Sequence, residues 1–120
     1  MVQRICFELR VRPDRIDEYV ARHAAVWPDM LRTIEASGRR NYSLFLRPDG
    51  MLIGYYETDS VEESQRRLAE SPAAARWEAE MAEFFVGLDG RPDLGPTILT
   101  EVFNLEDQLA ALPPHVPPAR

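Results

Sequence analysis

The sequence predicts an α+β fold in which two helical segments cover one face of an antiparallel sheet, the ferredoxin-like or split βαβ arrangement. Three observations support this prediction. The first is a period-two apolar pattern near the start of the chain, and the second is a change to helical periodicity directly after it. The third is the order strand, helix, strand, strand, helix, strand, within 120 residues that suit one domain with one hydrophobic core.

The first strand and the segment after it differ in their apolar spacing. Residues 4–12, RICFELRVR, alternate apolar and mostly polar side chains, which is typical of a half-buried strand. From Arg15 the spacing becomes helical, and Trp27-Pro28 should interrupt the helix because a residue before proline disfavours the helical region. A second helical segment then occupies residues 29–37 and ends at Gly38. The helical stripe consists of Ile16, Tyr19, Val20, His23 and Trp27.

A β-hairpin is predicted in the middle of the chain. Residues 42–46 and 51–57 are apolar runs of strand length, and Pro48-Asp49-Gly50 separates them. Proline presets φ and glycine accepts positive φ, so this tripeptide is typical of a turn.

The second helical segment is predicted from its N-terminal residues. Ser60 followed by Glu63 resembles a capping box, which opens a helix that runs to about Glu70. Ser71-Pro72 restarts the helix over residues 73–86, and residues 97–105 are predicted to be the last strand.

The domain prediction places a ferredoxin-like domain at residues 1–105 and a Pro-rich C-terminal tail at residues 106–120. The tail prediction follows from its composition, which is typical of a disordered or extended segment. The strands carry more apolar residues than one helical layer covers, so a homodimer that packs sheet against sheet is expected. The prolines of the tail are Pro113, Pro114, Pro117 and Pro118, and the apolar strand residues from which the surplus is inferred are Phe7, Leu44, Leu46, Ile53, Tyr55, Val102 and Phe103.

Composition excludes several classes of partner. A net charge of −6 makes nucleic acid and anionic lipid poor partners, and no apolar run approaches the length that spans a membrane. The single cysteine, Cys6, cannot form a disulfide within the chain, and the N-terminus lacks a signal-peptide core, so a cytoplasmic location is expected. The two histidines lie far apart, with His115 in the predicted tail, so no metal site is expected.

Tyr19 and His23 are four residues apart and therefore neighbours on one helix face. Two interpretations remain open at this point. Both side chains can belong to the core, each hydrogen-bonded locally. Alternatively they line a pocket between helix and sheet, in which a histidine exchanges protons with a substrate and nearby aromatic rings pack on a sugar.

Four separated segments resemble the L-rhamnose mutarotase family. The segment EYVARHAAVWPDM is similar to that family's first-helix pattern of a tyrosine, a histidine four residues later and a Trp-Pro pair four after that. GRRNYSLFL resembles its second strand, ARWEAEM its second helix and LTEVFNL its closing strand, so the resemblance spans about residues 3–105.

The resemblance implies a dimeric α/β barrel of ferredoxin-like subunits that interconverts the α and β anomers of L-rhamnose without a cofactor. By position, His23 matches the residue that donates a proton, the general acid. Tyr19, Tyr42 and Trp77 match residues that contact the monosaccharide. Ring opening and closure require one proton given to the ring oxygen and one removed from the anomeric hydroxyl, which fits a histidine beside hydroxyl groups.

Glu78 departs from the family pattern, which commonly has a second tryptophan at this position. If the side chain reaches the pocket, it replaces an apolar wall with an anionic acceptor that binds the sugar, alters sugar preference or holds His23 protonated. If it faces solvent, the change has no effect on the site.

Two other functions remain as alternatives to a mutarotase. A cofactor-independent oxygenase on the same fold would have a more apolar pocket and would consume oxygen. A non-catalytic sugar-binding or regulatory protein would bind sugar without accelerating anomer exchange.

Overall fold

The computed structural model describes residues 2–87, 91–92 and 95–114 of the chain. Its four strands form one antiparallel sheet in the order β2-β3-β1-β4, with helices packed on one face, which confirms the ferredoxin-like prediction. In chain order the elements are β1 (Gln3–Arg10), α1 (Ile16–His23), α2 (Pro28–Ala36), β2 (Arg40–Leu46), β3 (Met51–Thr58), α3 (Val61–Glu70), α4 (Pro72–Met81), β4 (Thr97–Leu99) and α5 (Leu105–Ala111).

The helix boundaries follow local chemistry. Trp27 is extended and Pro28 occupies the first turn of α2, so α1 and α2 are separate helices, as the Trp-Pro pair predicts. The Ser60 hydroxyl accepts a hydrogen bond of 3.1 Å from the Glu63 N–H group at the start of α3. The Ser71 hydroxyl accepts one of 3.2 Å from the Ala74 N–H group at the start of α4.

The predicted hairpin is confirmed, and glycine is required at two of its positions. Gly50 has a φ of +101°, which closes the turn between β2 and β3. Gly54 lies opposite Phe7 in the sheet, and a Cβ atom there would be 2.1 Å from the Phe7 ring. The Phe7 ring therefore occupies the space above Gly54 and faces the helices.

The core lies between the helices and the inner face of the sheet, the face that carries Phe7, Leu52 and Tyr56. The predicted helical stripe is correct except at Val20, which is 52% exposed. Successive helical residues are 100° apart, so a buried face centred between Tyr19 and His23 leaves Val20 at its edge. The buried face of α1 is therefore centred closer to Tyr19 than the predicted stripe is.

The end of the domain differs from the prediction. The last strand covers only Thr97–Leu99, and the chain becomes helical at Leu105–Ala111 because the Asn104 side chain accepts a hydrogen bond of 2.9 Å from the Asp107 N–H group. α5 therefore begins the segment predicted as the Pro-rich tail; the division at residue 105 itself stays a prediction. The tail residues His115, Pro117 and Pro118 lie outside the described residues.

The fourth helix also ends earlier than predicted. α4 stops at Met81, and a single 3₁₀ turn, Ala82–Phe84, completes the segment and buries Phe84. Across the described ranges, every helix falls short of the length and apolar character needed to cross a membrane.

Candidate active site

A cavity of about 880 Å³ lies between the helices and the inner face of the sheet. Its volume is in the range of pockets that hold small-molecule ligands. The structure brings all five residues predicted for the site into the wall of this one cavity: Tyr19, His23, Tyr42, Trp77 and Glu78.

The imidazole of His23 is held between two aromatic rings. It stacks on Tyr19, with ring centroids 4.1 Å apart, and meets the ring of Trp77 edge to face at 5.3 Å. Trp77 is itself braced by Trp27, whose ring lies edge to face at 5.1 Å. Because neighbouring rings fix the imidazole from two sides, its orientation toward the cavity is preorganised.

A hydrogen bond also selects the tautomer of His23. Its Nδ1 atom lies 2.9 Å from the backbone carbonyl oxygen of Tyr19, and a carbonyl oxygen can only accept, so Nδ1 carries the proton. In the neutral ring, Nε2 is then the proton acceptor. Burial lowers the pKa of His23 from its usual 6.5, and the hydrogen bond to Tyr19 opposes that shift. His23 is therefore neutral at pH 7.

The two tyrosines of the site are protonated hydroxyl donors at neutral pH. Burial raises the pKa of Tyr42 to about 12; Arg39 opposes the rise and Glu78 adds to it. Burial also raises the pKa of Tyr19, with further contributions from Tyr42 and Glu78. These mutual effects show that the two phenols and the Glu78 carboxylate share one electrostatic environment.

Glu78 is half-buried and lines the cavity, so its carboxylate does not simply face bulk solvent. The alternative in which Glu78 holds His23 protonated is not supported, because the pKa of His23 is lowered, mainly by burial, and Glu78 is not among the causes. Its charge instead acts on the phenols of Tyr19 and Tyr42.

The sheet side of the cavity contains residues that the sequence did not indicate. Tyr56 lies next to Tyr42, with ring centroids 5.3 Å apart, and the guanidinium of Arg39 lies 4.1 Å from the centroid of the Tyr56 ring. The alternation of β3 places Tyr56 on the inner face, a signal that was available in the sequence. Arg39 gave no comparable signal, because an arginine beside a strand is usually at the surface.

In the part of the chain that the structure describes, no group of three His, Cys, Asp or Glu side chains is placed so that it could hold a metal ion. The chemistry available is proton transfer at His23, hydrogen bonding by phenols and a carboxylate, and packing on flat aromatic faces. This combination suits a small polyhydroxylated ligand.

A family model described as L-rhamnose mutarotase matches residues 4–105. An L-rhamnose mutarotase of Oceanobacillus iheyensis is 35% identical over 103 residues, which is 83% of this chain and 95% of the relative. One of Bacillus subtilis is 34% identical over 99 residues, covering 80% of this chain and 91% of the relative.

Solved structures extend the similarity in fold. An L-rhamnose mutarotase of Formosa agariphila has a TM-score of 0.69 at 23% identity, covering 86% of this chain and 98% of that one. A putative antibiotic biosynthesis monooxygenase of Nitrosomonas europaea has a TM-score of 0.57 at 10% identity, covering 85% and 91%. The fold is thus shared by proteins with different named activities, and sequence similarity separates them.

Proposed function

Because the chain belongs to the L-rhamnose mutarotase family, a family of isomerases, we propose that it interconverts the α and β anomers of L-rhamnose. The observation that carries this proposal is His23, a neutral imidazole clamped between two rings with its Nε2 atom as the proton acceptor in the cavity. The oxygenase alternative is not favoured by the sequence relatives.

Ring opening begins with the neutral form of His23. Nε2 takes the proton of the anomeric hydroxyl as the bond between C1 and the ring oxygen breaks, and the ring oxygen receives a proton from a phenol or a water molecule. The open aldehyde turns about its C1–C2 bond, and closure on the other face reverses both transfers. His23 is therefore the base in opening and, as imidazolium, the general acid in closure.

The other predicted site residues position the sugar. Tyr19 and Tyr42 are protonated, so they donate hydrogen bonds to sugar oxygens. Trp77 packs against the apolar face of the ring or its methyl group. Glu78 accepts a hydrogen bond from a sugar hydroxyl. The mechanism moves only protons, so it needs no cofactor.

The test is saturation transfer between the two anomeric proton signals of L-rhamnose. We expect wild type to accelerate exchange and His23→Ala to reduce the enzymatic rate by about 10²–10⁴-fold, the usual contribution of general acid–base catalysis. Val20→Ala is the matched control, because Val20 lies on the same helix and is exposed.

Three results distinguish the readings. Wild-type rates from folded His23→Ala protein would contradict the role of His23. Saturable binding of L-rhamnose without accelerated exchange would support the non-catalytic sugar-binding alternative. Exchange that depends on His23 and survives in Val20→Ala supports the mutarotase.

We further propose that two chains pair through the outer faces of their sheets. Ile53 and Tyr55 lie on the outer face and are half-buried, while Phe45 on the same face is 64% exposed. Of the apolar strand residues counted in the prediction, Phe7, Leu44 and Leu46 face the helices by their strand register and are not part of this outer surface. Val102 and Phe103 are exposed beyond β4.

A cytoplasmic location is part of this proposal. Cys6 is a free thiol, which suits a reducing compartment. Cell fractionation, with the chain followed by antibody, tests the location.

A further inference from the structure

Arg39 is a charged residue in the core. It is 7% exposed, directly before β2, and its guanidinium lies 4.1 Å above the ring of Tyr56. Its Nε atom donates to the Ser64 hydroxyl at 3.2 Å, and Nη2 donates to the Gln65 side-chain oxygen at 2.8 Å. These contacts fix the guanidinium against α3 without neutralising its charge.

The partners of Arg39 set it apart from other arginines. Among the residues that the structure describes, these arginines form ion pairs with described carboxylates: Arg4, Arg15, Arg22, Arg40, Arg47, Arg66, Arg67 and Arg76. All of these pairs are exposed or half-exposed, where a pair contributes little. Arg39, which is buried, has only neutral partners within the described residues. Burial of a charge without an opposite charge is costly, so a compensating anion is expected.

Arg39 lines the cavity, so the compensating anion would be a ligand that enters this cavity. Arg39 lines the same cavity as His23 and Tyr42. Two carboxylates also line this cavity, Glu35 on α2 and Glu78 on α4. The cavity therefore presents a fixed cation from the sheet side to whatever enters it.

We propose that Arg39 is an anion subsite of the active site, and that hexuronates, sugars with a carboxylate at C6, form a second class of substrate. The inference rests on the proposed mutarotation. In a pyranose whose anomeric carbon meets His23, the C5 substituent lies across the ring oxygen from C1 and meets another part of the cavity wall. In L-rhamnose this substituent is a methyl group, and in a hexuronate it is a carboxylate.

The guanidinium is suited to this group. It has five N–H donors in a planar fork; Ser64 and Gln65 engage two and the Tyr42 hydroxyl also accepts from Arg39, and carboxylates bind such a fork with paired hydrogen bonds. The carboxylate keeps its charge throughout ring opening. Proton transfers at C1 and at the ring oxygen are the same as for L-rhamnose, so the reaction remains balanced.

The experiment measures anomer exchange of four hexuronates, D-glucuronate, D-galacturonate, D-mannuronate and L-guluronate, each beside the neutral aldohexose of the same configuration. L-rhamnose is measured in parallel. We expect at least one hexuronate to exchange about tenfold faster than its neutral counterpart, the usual gain from a hydrogen bond to a charged group. Arg39→Gln should lower the ratio of hexuronate to L-rhamnose rates about tenfold, and Arg39→Lys should restore part of it.

Arg47→Gln is the matched control, because the charge of Arg47 is already paired with Asp49 at 2.6 Å and this residue is not part of the cavity wall. It should leave the ratio unchanged. A measurement on wild type covers the case in which Arg39→Gln does not fold: hexuronate binding should weaken from low to high salt, while L-rhamnose binding should not.

The outcomes separate this inference from the proposed function. Acceleration of L-rhamnose without any hexuronate overturns the anion subsite and keeps the mutarotase. A hexuronate exchange rate that is unchanged by Arg39→Gln also overturns the anion subsite. Acceleration of a hexuronate but not of L-rhamnose, lost in Arg39→Gln, supports the subsite and rejects L-rhamnose as the substrate.

Discussion

The two faces of the sheet are formed by the same strands but differ in how far their side chains are buried. On the inner face Phe7, Leu52 and Tyr56 are buried by helices of their own chain, and the cavity forms above them. On the outer face Ile53 and Tyr55 alternate with those residues but remain partly exposed. The inner face is therefore covered by helices of the same chain and lines the cavity, whereas the outer face keeps exposed apolar surface, which suits the proposed association of two chains.

The largest effect is expected from a change at the centre of the inner face, Gly54→Val. The new side chain would collide with the Phe7 ring, since even its Cβ would lie 2.1 Å from that ring. Overpacking of this kind costs about 1–3 kcal/mol, and we expect the upper end of this range. The displaced Phe7 ring also packs edge to face on Tyr42, so anomer exchange should fall as well.

Chemical denaturation and the exchange assay measure the two effects. Ile53→Val is the matched control, because it changes the neighbouring residue on the other face and should cost less than about 1 kcal/mol. Equal stabilities for the two variants would show that the inner face is not the tightly packed one.

A charge on the outer face should disrupt the proposed association of two chains and leave the fold of each chain intact. Ile53→Asp places a carboxylate in the proposed contact between chains, where it would be buried opposite its own copy. We expect light scattering to change from about twice 13.7 kDa for wild type to 13.7 kDa for the variant. The helices and cavity lie on the opposite face, so the monomer should keep its fold by circular dichroism.

The same experiment has a clear contrary result. A wild-type mass of 13.7 kDa would refute the dimer, and a dimeric Ile53→Asp protein would move the interface elsewhere. Gln is the neutral control at this position, because it is polar without carrying charge.

Stability and anomer exchange should both depend on pH through the charge state of His23, which lies on the side of the inner face. Burial lowers the pKa of His23 in the folded chain below its unfolded value, so the unfolded state binds more protons as pH falls. Stability from this residue is present above the unfolded value of about 6.5 and is lost as pH falls through the folded pKa. Exchange should fall over the same window because Nε2 must be unprotonated to start ring opening.

Rates of exchange and denaturation midpoints from about pH 5 to 8 test this prediction against His23→Gln. The variant should lack that part of the pH dependence of stability. Exchange that rises as pH falls would instead indicate that imidazolium starts the reaction.

The sequence predicted those parts of the fold that depend on local chemistry. The hairpin at Gly50, the cap at Ser60 and the break at Pro28 each depend on one or two residues that restrict the backbone. Val20 was misplaced because a stripe of helical spacing does not reveal which of its edges faces the sheet. The strand predicted over residues 97–105 covers only Thr97–Leu99, and the Asn104 cap accounts for the helix that begins at Leu105.

The site residues also separate into those that the sequence predicts and those that depend on tertiary contacts. Tyr19, His23, Tyr42 and Trp77 were predicted from spacing and family resemblance, and all four line the cavity. The burial of Arg39 was not predictable, because it results from tertiary contacts with Ser64 and Tyr56. Nor did the sequence give the neutral state of His23, which depends on burial among rings from other elements.

The smallest effect is expected at Arg4, which connects the outer face of the sheet to the C-terminal segment. Its guanidinium pairs with Glu101 at 2.8 Å and with Asp107 on α5. These pairs are solvent-exposed and screened by salt, so Arg4→Gln should leave the denaturation midpoint and anomer exchange nearly unchanged. Amide hydrogen exchange in Leu105–Ala111 should accelerate, because α5 exposes Leu105 and Leu109 and has little else to hold it. Arg66→Gln, which breaks pairs within α3, is the control and should leave α5 unchanged. Unaltered exchange of α5 in Arg4→Gln would mean that its apolar face is covered in solution, as the outer-face dimer would allow.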